Sequence, residues 1–303
     1  MLDVLVKSFT FVLIIIIGYS LKKAKVLKKR DADVLATIVM NVTLPFSLLS
    51  NANSMSVSST VLMLVGFGIL ANVVMIIVGY IAARNESPLM KGVYIINCPG
   101  YNIGNFALPF VSSFFAGTGV AYLCAFDIGN ALMGLGITYA IADNVANGSG
   151  KFDFKDLFKK LFSSIPFDVY LLLFCLAVFN IKLPDPVISV ASTIGSGNAF
   201  LAMLMIGILL EVKIPAREAK AIIKVIGLRL CSVVVMAALI LLFLPLPTLA
   251  KQILVIAICA PLSSVAAVFT KRIGYSGDIS AAANSISIII SIVAMTVLLM
   301  AFV

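Results

Sequence analysis

Ten apolar stretches of about twenty residues each, joined by short polar loops, decide what this chain can fold into. They run over 5–21, 34–50, 59–83, 91–114, 119–143, 165–181, 187–210, 222–244, 252–271 and 279–302. A helix needs roughly 20 apolar residues to cross the hydrocarbon of a bilayer. Of the 303 residues 62% are apolar and only 12% are charged, with a mean hydropathy of +1.16. A water-soluble domain is about half apolar and about a quarter charged. A soluble enzyme and a disordered chain are therefore both excluded. The expectation is an all-α polytopic membrane protein with ten transmembrane helices. The chain has no His, which removes His-based zinc sites, Ser-His-Asp triads and imidazole proton relays together.

The charges set the orientation. Lys22, Lys23, Lys25, Lys28, Lys29 and Arg30 follow the first stretch, and Arg84 and Lys91 flank the third loop. Lys151, Lys155, Lys159 and Lys160 fill the central loop. Lys213, Arg217, Lys220 and Lys224 come next, then Lys271 and Arg272. In a ten-span chain all of these share one face, and the other face holds only Lys7, Lys182 and Lys251. By the positive-inside rule the basic face is cytoplasmic and both termini lie outside. The net charge of +9 thus marks one membrane face and points to no nucleic acid. The N-terminal stretch has its basic cluster after the apolar run, so it reads as a retained span and not a cleaved signal. In the central loop Phe152, Phe158 and Leu161 alternate with lysines and aspartates, the pattern of an interfacial amphipathic helix. The five cysteines fall inside spans and read as small apolar residues with free thiols.

Five spans in each half would make the halves inverted, with residues 1–150 as one repeat and 151–303 as the other. Transporters with inverted repeats carry interrupted helices at matching places. The fourth span contains Pro99 followed by Asn102 and Asn105, and the ninth contains Pro261 followed by Ser263 and Ser264. A proline inside a helix removes one hydrogen bond and clashes with the preceding turn. In a bilayer such breaks survive only inside protein or beside a wet cavity. Two broken helices crossing at mid-depth would aim free N–H groups and helix dipoles at one spot, a place for an anion.

Four strings carry a family resemblance: MNVTLPFSLLSN in the second span, NIGNFALPFV in the fourth, GLRLCSVVVMA in the eighth and APLSSVAAVFTKRIGYSGDIS in the ninth. The chain resembles the auxin efflux carrier family, which includes the plant PIN exporters and bacterial permeases for malate, malonate and related acids. The resemblance implies a scaffold of spans 1, 2, 6 and 7 and a mobile transport part of spans 3–5 and 8–10, with helices 4 and 9 crossing. It also implies a homodimer and, from the bacterial members, the inner (plasma) membrane of a bacterium. Asn102 and Pro109 keep the spacing of the plant pattern, whereas Tyr101 replaces the proline that precedes that Asn. The long central loop of the plant proteins and the acidic residue of their third span are absent, which argues against auxin as the substrate.

Few ionisable groups lie deep in the spans. Asp127 in the fifth and Arg229 in the eighth are the candidates for ion coupling or for a charge pair, since an intramembrane charge needs a cavity or a partner. Asn41 and Thr43, before Pro45 in the second span, join Asn102, Asn105, Pro99, Pro261, Ser263 and Ser264 as candidate substrate-binding positions. Asn130, Asn198 and Asn284 read as helix-packing amides. Gly66, Gly68, Gly134 and Gly136 read as places of close helix approach.

The expectation is a secondary transporter for a small organic anion, a mono- or dicarboxylate, working by an elevator-type movement. No cofactor is called for, and the candidate coupling ions are a proton and sodium. The alternatives are a sodium-coupled organic anion symporter of the bile-acid-transporter type and a channel. An intramembrane aspartyl protease has only the imperfect string Tyr275-Ser276-Gly277-Asp278 in its favour, and no nucleotide-binding loop supports a pump.

Overall fold

The computed structural model describes residues 2–54, 58–115, 117–148, 154–211 and 214–302. The expected boundary between halves at 150/151 lies outside the described residues, as do Lys151, Phe152 and Lys213. Thirteen helical segments can be numbered along the described chain: α1 Leu2–Lys23, α2 Asp31–Leu49, α3 Ser59–Ala82, α4 Pro88–Asn97, α5 Ile103–Ser112, α6 Thr118–Asn147, α7 Phe154–Leu161, α8 Ile165–Val178, α9 Asp185–Leu209, α10 Ala219–Phe243, α11 Thr248–Ile258, α12 Ala266–Arg272 and α13 Ile279–Phe302. Seven of these, α1, α2, α3, α6, α9, α10 and α13, are long and apolar enough to cross a membrane. The stretch expected at 165–181 is the 14-residue helix α8. Those expected at 91–114 and 252–271 are each two short helices separated by non-helical chain.

Local chemistry fixes the ends. Ser58 and Ser87 cap α3 and α4 by accepting from the amides of Val61 and Met90, each at 3.3 Å. Pro88 takes the first position of α4, where its missing N–H costs nothing. Three turns widen to five-residue spacing, Val39–Thr43 and Met133–Ile137 inside otherwise regular helix and Ile103–Ala107 at the start of α5. Two of them precede Leu44-Pro45 and Leu108-Pro109. A proline ring collides with the carbonyl four residues back, here Asn41 and Asn105, and a widened turn removes the collision.

The helices differ in how they use their apolar surface. Of the most apolar window of α6, 61% is buried, against 17% for α10. Helix α6 is thus central, while α10 leaves Ile223, Val234, Leu242 and Phe243 exposed, as suits a helix against lipid. Glycines set the closest contacts. A methyl at Gly68 would collide with the Phe126 carbonyl, and one at Gly129 with the Val65 carbonyl, so α3 and α6 touch backbone to backbone. Gly18 and Gly207 do the same for α1 and the second half of α9. Gly66 and Gly134, by contrast, face open space, which corrects their reading as contact residues. A second core cluster gathers Met75, Val93, Met133, Ile222, Phe269 and Ala282 from α3, α4, α6, α10, α12 and α13.

Candidate functional site

The two interrupted stretches meet. Helix α4 ends at Asn97, helix α11 ends at Ile258, and the chain between each and its continuation is extended or turned. The Asn102 amide donates to the Pro261 carbonyl at 2.9 Å, and Tyr101 and Leu262 form an antiparallel bridge. Gly100 permits the crossing: its φ is 79°, and a Cβ there would sit 3.0 Å from that of Ser263.

A helix end leaves carbonyls without partners, and a helix ending inside an apolar protein must find donors for them. Arg229 of α10 supplies these. Its Nη1 donates to the carbonyls of Cys98 at 2.6 Å, Pro99 at 3.1 Å and Gly100 at 3.1 Å, and its Nη2 to that of Ala260 at 3.1 Å. The guanidinium also lies over the Tyr101 ring, 5.3 Å from its centroid. One buried cation therefore closes both broken helices at once, and its charge meets the negative ends of their dipoles. Arg229 does not pair with Asp127, so the charge pair considered for these two residues is not formed.

Two amides hold the first break. Asn72 Oδ1 accepts from the Gly100 amide at 2.8 Å, while its Nδ2 donates to the Gly68 carbonyl at 2.8 Å and to Asn130 Oδ1 at 3.2 Å. Asn130 Oδ1 accepts from the Tyr101 amide at 3.2 Å, and its Nδ2 donates to the Tyr101 carbonyl at 2.9 Å and to Asp127 Oδ1 at 2.8 Å. The chain then crosses to α8, where the Tyr170 hydroxyl donates to Asp127 Oδ2 at 2.8 Å. The second break has a lighter hold: Ser287 Oγ of α13 accepts from the Leu262 amide at 3.0 Å.

Beside this crossing is a cavity of about 120 Å³. Asn102, Asn105, Asp127, Asn130, Tyr170, Ser263 and Ser264 all line it, and so do residues of all three widened turns: Met40, Gly104 and Leu135. Asn102 and Asp127 are each 8% exposed, Asn105 is half-buried, and Ser264 is open. The Asn105 Oδ1 is buried with no hydrogen-bond partner among the described residues. The cavity wall thus carries amides, hydroxyls, one carboxyl and no Lys or Arg. A larger groove of about 470 Å³ lies between α3, α10 and α11, but Ser232 and Cys231 are its only polar lining residues and it offers nothing to orient a charged solute.

Most of the residues expected at the site are therefore brought together: Asn102, Asn105, Ser263, Ser264 and Asp127 at the cavity, and Pro99 and Pro261 in the breaks. Asn41 is not: it is exposed and does not line the cavity. Thr43 is buried and donates to Asn198 Oδ1 at 3.0 Å, a link between α2 and α9. Asn130, read as a packing amide, is the hub of the crossing. Asn72 and Tyr170 carry no marker in the sequence beyond being lone polar groups in apolar helices. The Tyr275-Ser276-Gly277-Asp278 string is a loop clasped by Glu218, which accepts from the Tyr275 hydroxyl at 2.7 Å and the Asp278 amide at 3.1 Å. Burial, and then that carboxylate, hold the Tyr275 hydroxyl protonated well above its ordinary range.

No curated protein matches the sequence. Residues 3–151, which contain the first break, Asn72, Asp127 and Asn130, match a family described as membrane transport protein. With its apolar helices and its polar crossing inside them, the chain is a multi-pass membrane protein, and over residues 3–151 it matches the auxin efflux carrier family of membrane transporters.

Proposed function

We propose that the protein is a secondary transporter that moves a small organic anion, a mono- or dicarboxylate, by an elevator-type alternation of access. The observation that carries this reading is the cavity at the crossing of two interrupted helices, lined by amides and hydroxyls and enclosed in an otherwise apolar molecule. Unwound chain in a bilayer is stable only inside protein or beside such a space. Counting the two interrupted stretches and α8 as crossings gives ten spans, five in each of two inverted halves. With the basic loops cytoplasmic and both termini outside, the lining residues Ser164, Pro166 and Phe167, at the start of α8, support a mouth on the cytoplasmic side. The far side is filled by Phe11, Phe110 and Phe114, with ring centroids 5.3 and 5.5 Å apart, and by Lys7 donating to the Ser113 carbonyl at 2.6 Å. The molecule then rests open to the interior of a bacterial cell, paired as a homodimer.

The division into moving parts has its own support. The second core cluster draws only on spans 3–5 and 8–10. The glycine contacts onto main chain fall within the two parts: Gly68 and Gly129 join spans 3 and 5, Gly79 meets the Tyr94 carbonyl of span 4, Gly18 and Gly207 join spans 1 and 7, and Gly195 meets Ser47 of span 2. Across the parts tight contact is to side chains, as at Gly104 of span 4 against the tip of Leu44 of span 2, which is compatible with sliding.

The test is counterflow of labelled malate and malonate in proteoliposomes of purified protein. Wild-type protein exchanges at least one of them, while Asn102→Ala and Pro261→Ala are produced normally and exchange neither. Normal exchange by both variants removes the crossing from the transport path.

A further inference from the structure

Asp127 is the single acid lining the cavity, and no basic side chain lines it. Arg229, the cation at the crossing, does not line it either and is committed to four carbonyls. An organic anion that enters therefore approaches a carboxylate with no countercharge, and like charges in a dry cavity repel strongly. We propose that the anion enters together with a proton, which is held on Asp127, and that Tyr170 passes this change to the substrate. The proposal rests on the transporter reading above and deepens it by naming the coupling ion.

The hydrogen-bond pattern favours a proton over sodium. Each oxygen of Asp127 faces a hydrogen: Oδ1 that of Asn130 Nδ2 and Oδ2 that of the Tyr170 hydroxyl, both at 2.8 Å. The Asn130 oxygen is turned away, toward the Tyr101 amide and Asn72. A hard cation needs several oxygens with lone pairs pointing inward, and this carboxylate is surrounded by donors. A proton needs no such shell. When it binds Oδ2, the bond reverses: the Asp127 O–H donates to Tyr170 Oη, and the Tyr170 hydrogen turns into the cavity toward the anion. A repelling wall becomes a donating one. One proton with a monocarboxylate moves no net charge, and one with a dicarboxylate moves a single negative charge.

The surroundings leave Asp127 as the group that titrates. Tyr170 faces it from α8, and Cys124 lies one turn back on α6. Tyr101 approaches through its main chain. From α3, α5 and the second break come Asn72, Asn105, Ser263 and Ser264, none of which titrates, and Asp168 of α8 does not line the cavity. The Asp127–Tyr170 bond also spans the two proposed moving parts, since α6 belongs to one and α8 to the other. Protonation at that bond therefore acts where the parts must slide.

The experiment uses full-length protein in proteoliposomes, with malonate, malate and acetate as probes and a trapped pH dye to follow protons. Wild-type protein accumulates at least one probe under an imposed pH gradient, the dye reports protons moving with it, and a sodium gradient adds nothing. Asp127→Asn retains a slower counterflow that no longer responds to pH, and it loses both accumulation and the proton signal. Tyr170→Phe keeps the proton signal but raises KM about tenfold, as for loss of one hydrogen bond to a charged group. Asp127→Glu guards against misfolding of the Asn variant: its accumulation must follow a shifted pH profile. Accumulation by Asp127→Asn under a pH gradient, an unshifted profile for Asp127→Glu, or sodium-driven accumulation in wild type overturns proton coupling and leaves the transporter reading in place. Wild-type protein that exchanges none of the three probes at any pH overturns the transporter reading, and this proposal with it.

Discussion

The two breaks cross each other but are not held alike. Main-chain groups of the first, at Gly100 and Tyr101, are fixed by two asparagines from α3 and α6, and its carbonyls receive three donations from Arg229. The second has one serine on the Leu262 amide, one arm of Arg229 on Ala260, and the bond from Asn102 to Pro261. The first break is thus built by its own surroundings, and the second leans on the first. Unwound backbone inside a bilayer is rigid only to the extent that side chains replace its lost helical partners, so the side with fewer partners has more freedom to respond to a ligand. Ser264 of that side is also the one exposed residue of the cavity wall.

Four substitutions bear on this asymmetry. The largest effect belongs to Arg229→Met, which leaves four buried carbonyls without a donor. Leaving a buried acceptor unsatisfied costs about 1–3 kcal/mol, so even with relaxation the loss is on the order of 3 kcal/mol or more, read as a fall in thermal midpoint in detergent. A midpoint like that of wild type means that the guanidinium does not hold the breaks. Asn130→Ala removes contacts to Tyr101, Asn72 and Asp127, and is expected to cost about 2–3 kcal/mol in the same assay. Ser287→Ala deletes one bond to the second break and is expected to cost about 1 kcal/mol. If Ser287→Ala proves as damaging as Asn130→Ala, the difference between the breaks collapses. Ser264→Ala should change stability by no more than about 0.5 kcal/mol while slowing probe exchange. Unaltered exchange would place the substrate away from the second break.

Much of this site can be seen in the residues alone, and what cannot has a physical reason. Pro99 and Pro261 announce the breaks because a proline well inside a helix removes a hydrogen bond and clashes with the preceding turn. Asp127 stands out because a lone acid in an apolar helix must have a partner. The identity of the partner is another matter: Tyr170 lies 43 residues away on another helix, and only the packing of α8 against α6 brings it near. Asn130 shows the same gap. Its chemistry suits a helix-packing amide and a backbone clamp equally, and the choice depends on an unwound segment lying within reach. Arg229 reads as the partner of an acid, because helix-end carbonyls as a partner exist only once α4 and α11 have stopped. The widened turns are partly legible, since Pro45 and Pro109 each demand relief of one carbonyl, but the third, at Met133–Ile137, has no proline to mark it.

The glycine seams have a further consequence, for how this protein tolerates change. Where α3 meets α6 and α1 meets α9, main chain lies on main chain, and one added carbon forces whole helices apart. At the junction between α6 and α8 the link is made by side-chain tips, Asp127 and Tyr170, which can be exchanged without moving a helix. Variation in the seams is thus filtered by folding, whereas variation at the side-chain junction passes folding and alters rate. A screen that scores only production of the protein would see the seams and miss the junction, although under the proposed proton coupling the junction is where substrate preference and energy coupling drift from one relative to the next.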